Sequence, residues 1–233
     1  MESKTRRVVI GLVASWLFVF GVLPILLLLG ASLLTQDPQH FVRLPLSLEA
    51  YRQLAEPAYL QVMLRSLRLA LVTVVLCLLV GYPFAWFTAR LPAGWKTAIL
   101  VLLMIPFWTN SLVRTYAIRT LLGTQGLLNK ALLALGVIEA PLQLIYTDLA
   151  VVLGLFYLML PFMILPLYAN LDKFDYRLVE AARDLGAGFT RIFVTIVWPL
   201  SLPGVFAGCI LVFVPTMGLL YVATLLGGAR RLL

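Results

Sequence analysis

Long stretches without a single charged residue constrain this chain more than any other feature. A membrane-spanning helix needs about 20 apolar residues to cross a hydrocarbon core of ~30 Å. Lipid offers the backbone no hydrogen-bond partners, so each such stretch is predicted to be helical. The uncharged runs are Val8–Gln36, Leu69–Ala89, Thr97–Val113, Leu149–Leu171 and Ile192–Ala229.

Composition supports a membrane fold and argues against a nucleic-acid partner. The chain is 62% hydrophobic and 12% charged, whereas soluble domains have roughly 45–50% apolar and about 25% charged residues. The net charge of +8 raises the alternative of a nucleic-acid binder. No basic stripe and no soluble segment is present to form such a surface. We therefore predict an all-α integral membrane protein.

The apolar runs predict one transmembrane domain over residues 1–233 with five spans. The fourth and fifth spans contain several prolines, which predict helix breaks next to protein or a watery cavity. A turn is expected at Gly227-Gly228, and short helices are expected at Leu48–Leu54 and Asn129–Leu135. The predicted spans are 8–34, 66–89, 97–116, 149–170 and 192–226, and their prolines are Pro161, Pro166, Pro199, Pro203 and Pro215.

The distribution of basic residues indicates a cytoplasmic N-terminus. Lys4, Arg6 and Arg7 precede the first run, and Arg90 and Lys96 lie in a very short loop without acids. Cytoplasmic loops of membrane proteins carry such an excess of Lys and Arg. The first run is longer than the 7–15 apolar residues of a signal peptide, so we expect an uncleaved first span.

A polar loop, residues 171–191, connects the fourth and fifth spans. Four acids and four bases lie between Asp172 and Arg191. Asp175 is a candidate helix N-cap, and Gly186 stands where a left-handed C-cap residue is favoured. A helix resting on the membrane surface is the alternative, but it favours bulky anchors and an excess of basic residues. The balanced charges favour a protein groove, and the predicted apolar stripe is Leu178, Ala181, Ala182 and Leu185.

The polar loop and the following helix carry a spaced motif. It comprises Glu180-Ala181-Ala182, then Gly186, then Ile196 and Pro199. At these residues the chain resembles the membrane subunits of binding-protein-dependent ATP-binding-cassette (ABC) importers. Trp198 stands where that family has leucine, an apolar exchange that leaves the pattern intact.

The resemblance extends over nearly the whole chain. The segments 81–86, 105–114 and 215–229 are similar to spermidine/putrescine importer permeases of the PotB type. This resemblance implies the transmembrane domain of a type I (MetI-like) ABC importer in the bacterial inner membrane. It also implies a cytoplasmic polar loop, and a sixth helix that we expect to be missing from this chain.

The same resemblance implies the partners and the role of the polar loop. They are a second, PotC-like permease, two copies of a PotA-like ATPase and an extracytoplasmic PotD-like binding protein. No cofactor is expected in this chain, because it lacks the Gly-x-x-x-x-Gly-Lys-Ser/Thr phosphate loop; ATP and magnesium belong to the ATPase. The residues implied in coupling to the ATPase are Leu178, Glu180, Ala181, Ala182, Asp184, Leu185 and Gly186.

A polyamine cargo needs aromatic faces and polar groups along its path. Phe107 and Trp108, next to a helix break expected at Pro106, are candidates for cation–π contacts, Asn110 for a polar contact, and Tyr221 is a weaker candidate. Packing between helices is the alternative role. Tyr82 is a weaker candidate as well, and both tyrosines are expected in the aromatic belt at the membrane interface. Spermidine, putrescine and other small solutes all remain open as cargo.

Other function classes have less support. His40 is the sole histidine, and no pair of acids lies at helical spacing within a span, so we expect a non-catalytic subunit without a metal site. A passive channel or an assembly subunit remains the alternative from another class.

Overall fold

The computed structural model describes residues 2–35, 43–46 and 48–228. It is nearly all-helical, which confirms the predicted all-α class. The chain divides into two compact units, Met1–Gln61 and Val62–Leu233. His40, on which part of the argument against an enzyme depends, and Ala229 at the end of the fifth run lie outside the described residues.

The first unit begins with one long apolar helix. It consists of α1 (Glu2–Leu17), a π-helical turn (Phe18–Val22) and α2 (Leu23–Ser32). The stretch Arg6–Ser32 is long and apolar enough to cross a membrane, and none of its most apolar window is buried within the protein.

A small hairpin and a short helix complete the first unit. Strand β1 (Leu34–Thr35) pairs antiparallel with β2 (Arg43–Leu46), and α3 (Glu49–Leu54) follows within the predicted helix at Leu48–Leu54. The hydroxyl groups of Ser32 and Tyr51 lie 2.8 Å apart and share a hydrogen bond.

Helix α4 (Pro57–Ala89) is longer than the predicted second span. The predicted span began at residue 66, close to the uncharged run that starts after Arg68, and the helix extends beyond both Arg65 and Arg68. The helix accommodates Arg65 because its guanidinium forms an ion pair with Asp148 at the start of another helix. A charge that finds such a partner need not end a membrane helix.

The third predicted span, 97–116, is two helices and not one. Helix α5 (Ala93–Met104) runs into a 3₁₀ turn (Ile105–Trp108), and α6 (Ser111–Leu122) leaves at about 93°. Pro106 removes a backbone donor, and Thr109 is extended. The helix break expected at Pro106 is therefore present, and it takes the form of a sharp turn between two helices. Helix α7 (Leu127–Ala134) follows, as predicted.

Helix α8 (Asp148–Leu171) corrects the expectation of a broken fourth span. It continues through both Pro161 and Pro166. Each proline costs one intrahelical hydrogen bond. However, the inward face of α8 is buried against neighbouring helices, from Ala150 to Leu171, and this packing holds the helix together.

The polar loop contains α9 (Arg177–Asp184) and leads into the last long helix. That helix consists of α10 (Phe189–Ile192), a π-helical turn (Phe193–Val197) and α11 (Trp198–Gly218). It breaks at Leu219, not at its prolines, before α12 (Leu220–Gly227). Helix α12 ends at Gly227, and Gly228 has a φ of +79°; the chain beyond it lies outside the described residues, so the expected turn stays a prediction.

Helices α8 and α11 form the most extensive contact between the described helices of the second unit. At Gly208 of α11 a β-carbon would lie 2.7 Å from the Met163 sulfur and 3.2 Å from the Met163 carbonyl oxygen. Small residues allow membrane helices to approach closely enough for this packing. Counted over the described residues, four helices are long and apolar enough to span a membrane, or five if the bent pair is one span.

Candidate functional site

Helix α9 is fixed at its start by the predicted capping residue. The Asp175 carboxylate accepts a hydrogen bond of 3.1 Å from the Arg177 amide. A capping side chain accepts from the second or third amide of a helix, so Asp175 caps the turn that leads into α9, whereas Tyr176, the residue directly before the regular helix, forms no side-chain capping bond.

The end of α9 is a two-bond C-cap centred on Gly186. The Gly186 amide donates to the Arg183 carbonyl at 2.8 Å, and the Ala187 amide donates to the Ala182 carbonyl at 3.0 Å. This pattern requires a left-handed residue, and Gly186 has a φ of +79°. The glycine is therefore required by the backbone conformation, as the sequence predicts.

The predicted apolar stripe of α9 is divided between two faces. Leu178 is 47% exposed, Leu185 is 88% exposed, and Ala181 between them is also exposed. Ala182 instead packs against a small core of buried residues. The exposed face is thus formed by Leu178, Ala181 and Leu185, with Glu180 and Asp184 beside it.

The residue that anchors α9 was not predicted. Val179 is 6% exposed and forms a small core with Ile192 and Val197 of the last long helix. Its position three residues before Ala182 places both on one face of the helix. That second i, i+3 pair was the available sequence signal, and it was overlooked because the alanines were assigned to a single stripe.

Aromatic and cationic side chains lie directly beneath the polar loop. The Arg90 guanidinium lies 4.0 Å from the Trp86 ring centre and 5.4 Å from that of Tyr176. The Trp86 ring meets Tyr176 at 6.0 Å and Phe174 at 6.3 Å, in both cases edge to face. Within this arrangement, the end of α4 supports the segment that leads into α9.

An ion pair and an open cleft complete the surroundings of α9. Lys96, in the first turn of α5, donates to the Asp172 carboxylate at 2.6 Å. The cleft is lined by apolar side chains together with Arg90 and Arg183. Helix α9 is therefore supported by contacts of its buried face with the last long helix, and the segment before it is supported by contacts with α4 and α5.

The remaining motif residues belong to the packing of the last long helix. Trp198, at the position where the motif has leucine, lies with its ring 5.7 Å from Tyr82 and 6.2 Å from Phe193. Tyr82 is 8% exposed, and its hydroxyl shares a hydrogen bond of 3.0 Å with Ser201. The assignment of Tyr82 to an interface belt was wrong, because the ring and its hydroxyl are both buried against α11.

The candidate path residues differ in their surroundings. Phe107 packs edge to face on Phe162 at 5.1 Å, and the Arg114 guanidinium lies 5.4 Å from the Phe107 ring centre. Asn110 caps α6 by accepting a bond of 2.8 Å from Leu112. Tyr221 packs against the main core. The contacts of Phe107, Asn110 and Tyr221 are structural, and a role in binding cargo stays a prediction for all three residues.

Trp108 is the exception among the path candidates. It is 83% exposed and takes part in no ring or cation–π contact within the described part of the chain. Its side chain is available to a ligand, to lipid or to another subunit.

Comparisons with known proteins place this arrangement in context. The chain is 48% identical over 231 residues to the spermidine/putrescine transport system permease protein PotB of Salmonella typhimurium strain SL1344, covering 99% of this chain and 80% of that protein. It is 44% identical over 233 residues to PotB of Haemophilus influenzae, covering 100% and 82%. No family model matches the chain.

A solved structure supports the fold independently of sequence. The chain superimposes with a TM-score of 0.70 on a chain of a bacterial ABC transporter involved in the import of the acidic polysaccharide alginate. The two are 15% identical, and the match covers 99% of this chain and 81% of the other. The shared architecture confirms the predicted fold of an ABC importer membrane subunit.

Proposed function

This chain belongs to the family of spermidine/putrescine transport system permease proteins, and from that membership we propose that it is a permease subunit of an ATP-driven polyamine importer. The observation that carries the proposal is the polar loop with its family motif. Its helix α9 is capped at both ends, anchored through Val179 and exposes an apolar face at Leu185. ATP hydrolysis belongs to a partner, and this chain forms half of the cargo path.

The exposed face of α9 fits a groove of the partner ATPase. Burying a leucine side chain contributes about 1.5–3 kcal/mol, and Leu185 is 88% exposed without a partner subunit. Glu180 and Asp184 flank this face and supply charges that a groove can match. The assembly comprises this permease, a second and similar permease, two copies of the ATPase and a substrate-binding protein.

Movement of α9 is transmitted to the spans through covalent and packing contacts. The polar loop joins α8 to the last long helix, and α8 and α11 pack closely at Gly208. When ATP brings the two ATPases together, α9 moves with its ATPase, and the α8–α11 pair rocks as a unit. Such rigid-body rocking alternates access to a path between the two permeases.

The orientation follows from the charge distribution. We place the N-terminus in the cytoplasm, because Lys4, Arg6 and Arg7 precede the first span. With the bent α5–α6 pair counted as one span, four spans precede the polar loop, and alternation then leaves this loop on the same side as the N-terminus, where ATP and the ATPase are found. The membrane is the bacterial inner membrane.

Trp108 is the path residue that the geometry favours. An exposed indole face can bind an ammonium group by a cation–π contact. Arg114 lies beside Phe107 and repels a cation, so the second permease supplies the negative charge of the path. Recognition of the particular polyamine rests mainly with the binding protein.

Reconstitution of the importer tests this function. The two permeases, the ATPase and the loaded binding protein are placed in liposomes, and labelled spermidine and putrescine are followed with and without ATP. We expect accumulation of at least one polyamine only with ATP and a hydrolysing ATPase. Accumulation of neither polyamine would contradict the cargo. A flux that is equal without ATP would support a passive channel.

A further inference from the structure

Helix α4 is not next to the polar loop along the backbone, although the two are in contact in space. The polar loop is continuous with α8 and α10, so any motion of α9 reaches those helices through the backbone. For α4 and α5, the route consists of side-chain contacts. Residues 90–96 join α4 to α5, and both ends of this short connection contact the segment before α9.

Trp86 is the central contact of this route. It packs against the main core of the helix bundle and also against the small core around Val179. Its ring meets Tyr176 at 6.0 Å and Phe174 at 6.3 Å. A large, rigid side chain with two χ angles fixes the separation of the elements it touches.

Arg90 and Lys96 reinforce the same connection from its two ends. The Arg90 guanidinium lies over Trp86 at 4.0 Å and over Tyr176 at 5.4 Å, so it covers both rings. Lys96 binds the Asp172 carboxylate at 2.6 Å. The side chains of Lys96 and Asp172 are 24% and 37% exposed, so this ion pair is only partly screened by solvent.

We infer that Trp86, with Arg90 and the Lys96–Asp172 ion pair, is a positioning strut that transmits the movement of the polar loop to α4 and α5. The inference rests on the proposed function and adds residues outside the family motif to the coupling apparatus. Without the strut, α9 still engages the ATPase, and the α8–α11 pair still moves. Helices α4 and α5 then lag behind, and ATP is hydrolysed without import.

Trp86→Ala in the assembled importer is the direct test. The measured quantity is the number of ATP molecules hydrolysed per polyamine imported. We expect this ratio to rise about fivefold or more, the lower end of typical coupling effects, and Trp86→Phe to restore most of the coupling. Trp95→Ala is the matched control, because Trp95 lies in the same connection, is 67% exposed and should leave the ratio unchanged.

A purely structural role of Trp86 predicts a different result. Loss of folded complex lowers hydrolysis and import in proportion, and the ratio stays constant; a constant ratio overturns the inference. If the importer without substitutions accumulates no polyamine, the proposed function is wrong, and this failure is distinguished from a failure of the strut by its occurrence without any substitution.

Charge exchange across the ion pair provides a second variant if Trp86→Ala does not assemble. Lys96→Asp and Asp172→Lys should each raise the ratio, and the double variant should restore it toward that of the unchanged chain. Lys173→Ala, next to Asp172 and exposed, is the control. Double-variant values that equal the sum of the single effects, with no restoration, overturn the inference.

Discussion

The polar loop and the helix break at Ile105–Asn110 are both irregular segments of one bundle, yet they use their side chains in opposite ways. In the polar loop, the buried Val179 and the two caps support the helix, and Leu185 remains exposed. In the helix break, Phe107 and Asn110 are already engaged by Phe162 and by the α6 backbone.

This difference separates two kinds of functional prediction. A surface kept for a partner needs its own support, so that exposed groups do not have to hold the fold. The polar loop meets this condition along a whole helix face. The helix break meets it only at Trp108, which is 83% exposed. The presence of a residue type that could bind a ligand is therefore weaker evidence for a site than an exposed surface whose helix is held in place by other residues.

The largest effect is expected at the C-cap of α9. Gly186 has a φ of +79° and open space around it, so a substitution there acts through the backbone alone. Gly186→Val should reduce uptake at least about 100-fold, because a β-branched residue is a strong outlier at positive φ and redirects the loop. Gly186→Asn, which tolerates this conformation, should retain most uptake. Equal loss in both variants would show that the cap geometry is not the cause.

Charge reversal on the exposed face of α9 comes next. Glu180→Lys should lower uptake about tenfold or more, since a like charge opposite a matched groove costs on the order of 1–3 kcal/mol. The chain should still insert at a normal level, as measured in isolated membranes. Glu139→Lys reverses an exposed acid in the segment after α7 and is the control. Normal uptake in the Glu180→Lys variant would remove this face from the ATPase contact.

The two faces of α9 can be separated by a pair of truncations. Val179→Ala should lower the free energy of unfolding by about 1.5 kcal/mol, because two buried methyl groups are lost, and should lower the melting temperature of the purified complex. Leu185→Ala should leave the melting temperature of the isolated permease unchanged but weaken retention of the ATPase. The reverse pattern would exchange the supporting and the binding face.

A smaller effect is expected at the helix break. Trp108→Ala should slow polyamine uptake about threefold through loss of a cation–π contact of roughly 0.5–1 kcal/mol, without changing stability. Phe107→Ala should instead lower stability, because its ring packs on Phe162. Unchanged uptake in Trp108→Ala would assign this indole to lipid or subunit packing.

Much of the fold was predictable because lipid permits few structures. The uncharged runs located the long helices, but they could not show where charges enter a helix. Arg65 lies within α4 and pairs with Asp148, which is distant in sequence, and no local pattern reveals this contact. Prolines were uneven guides: the break expected at Pro106 is present as a bend of about 93°, whereas α8 continues through Pro161. Tertiary packing decides between these outcomes.

The site was predictable where it depends on backbone conformation. Asp175 and Gly186 occupy their expected capping positions, since these roles follow from local chemistry. The anchoring role of Val179 and the cluster around Trp86 depend on contacts distant in sequence. The sequence therefore indicated which helix matters, while the structure indicated which of its faces is free.

Site-specific cross-linking tests most directly whether the exposed face of α9 contacts the ATPase. A photo-reactive amino acid is placed at Leu185 and, for comparison, at Trp108, in the complete importer in native membranes. Both positions are highly exposed in this chain, so accessibility alone does not distinguish them. We predict an adduct with the ATPase from position 185 and none from position 108. Capture of the ATPase from both positions, or of lipid alone from position 185, would contradict the account.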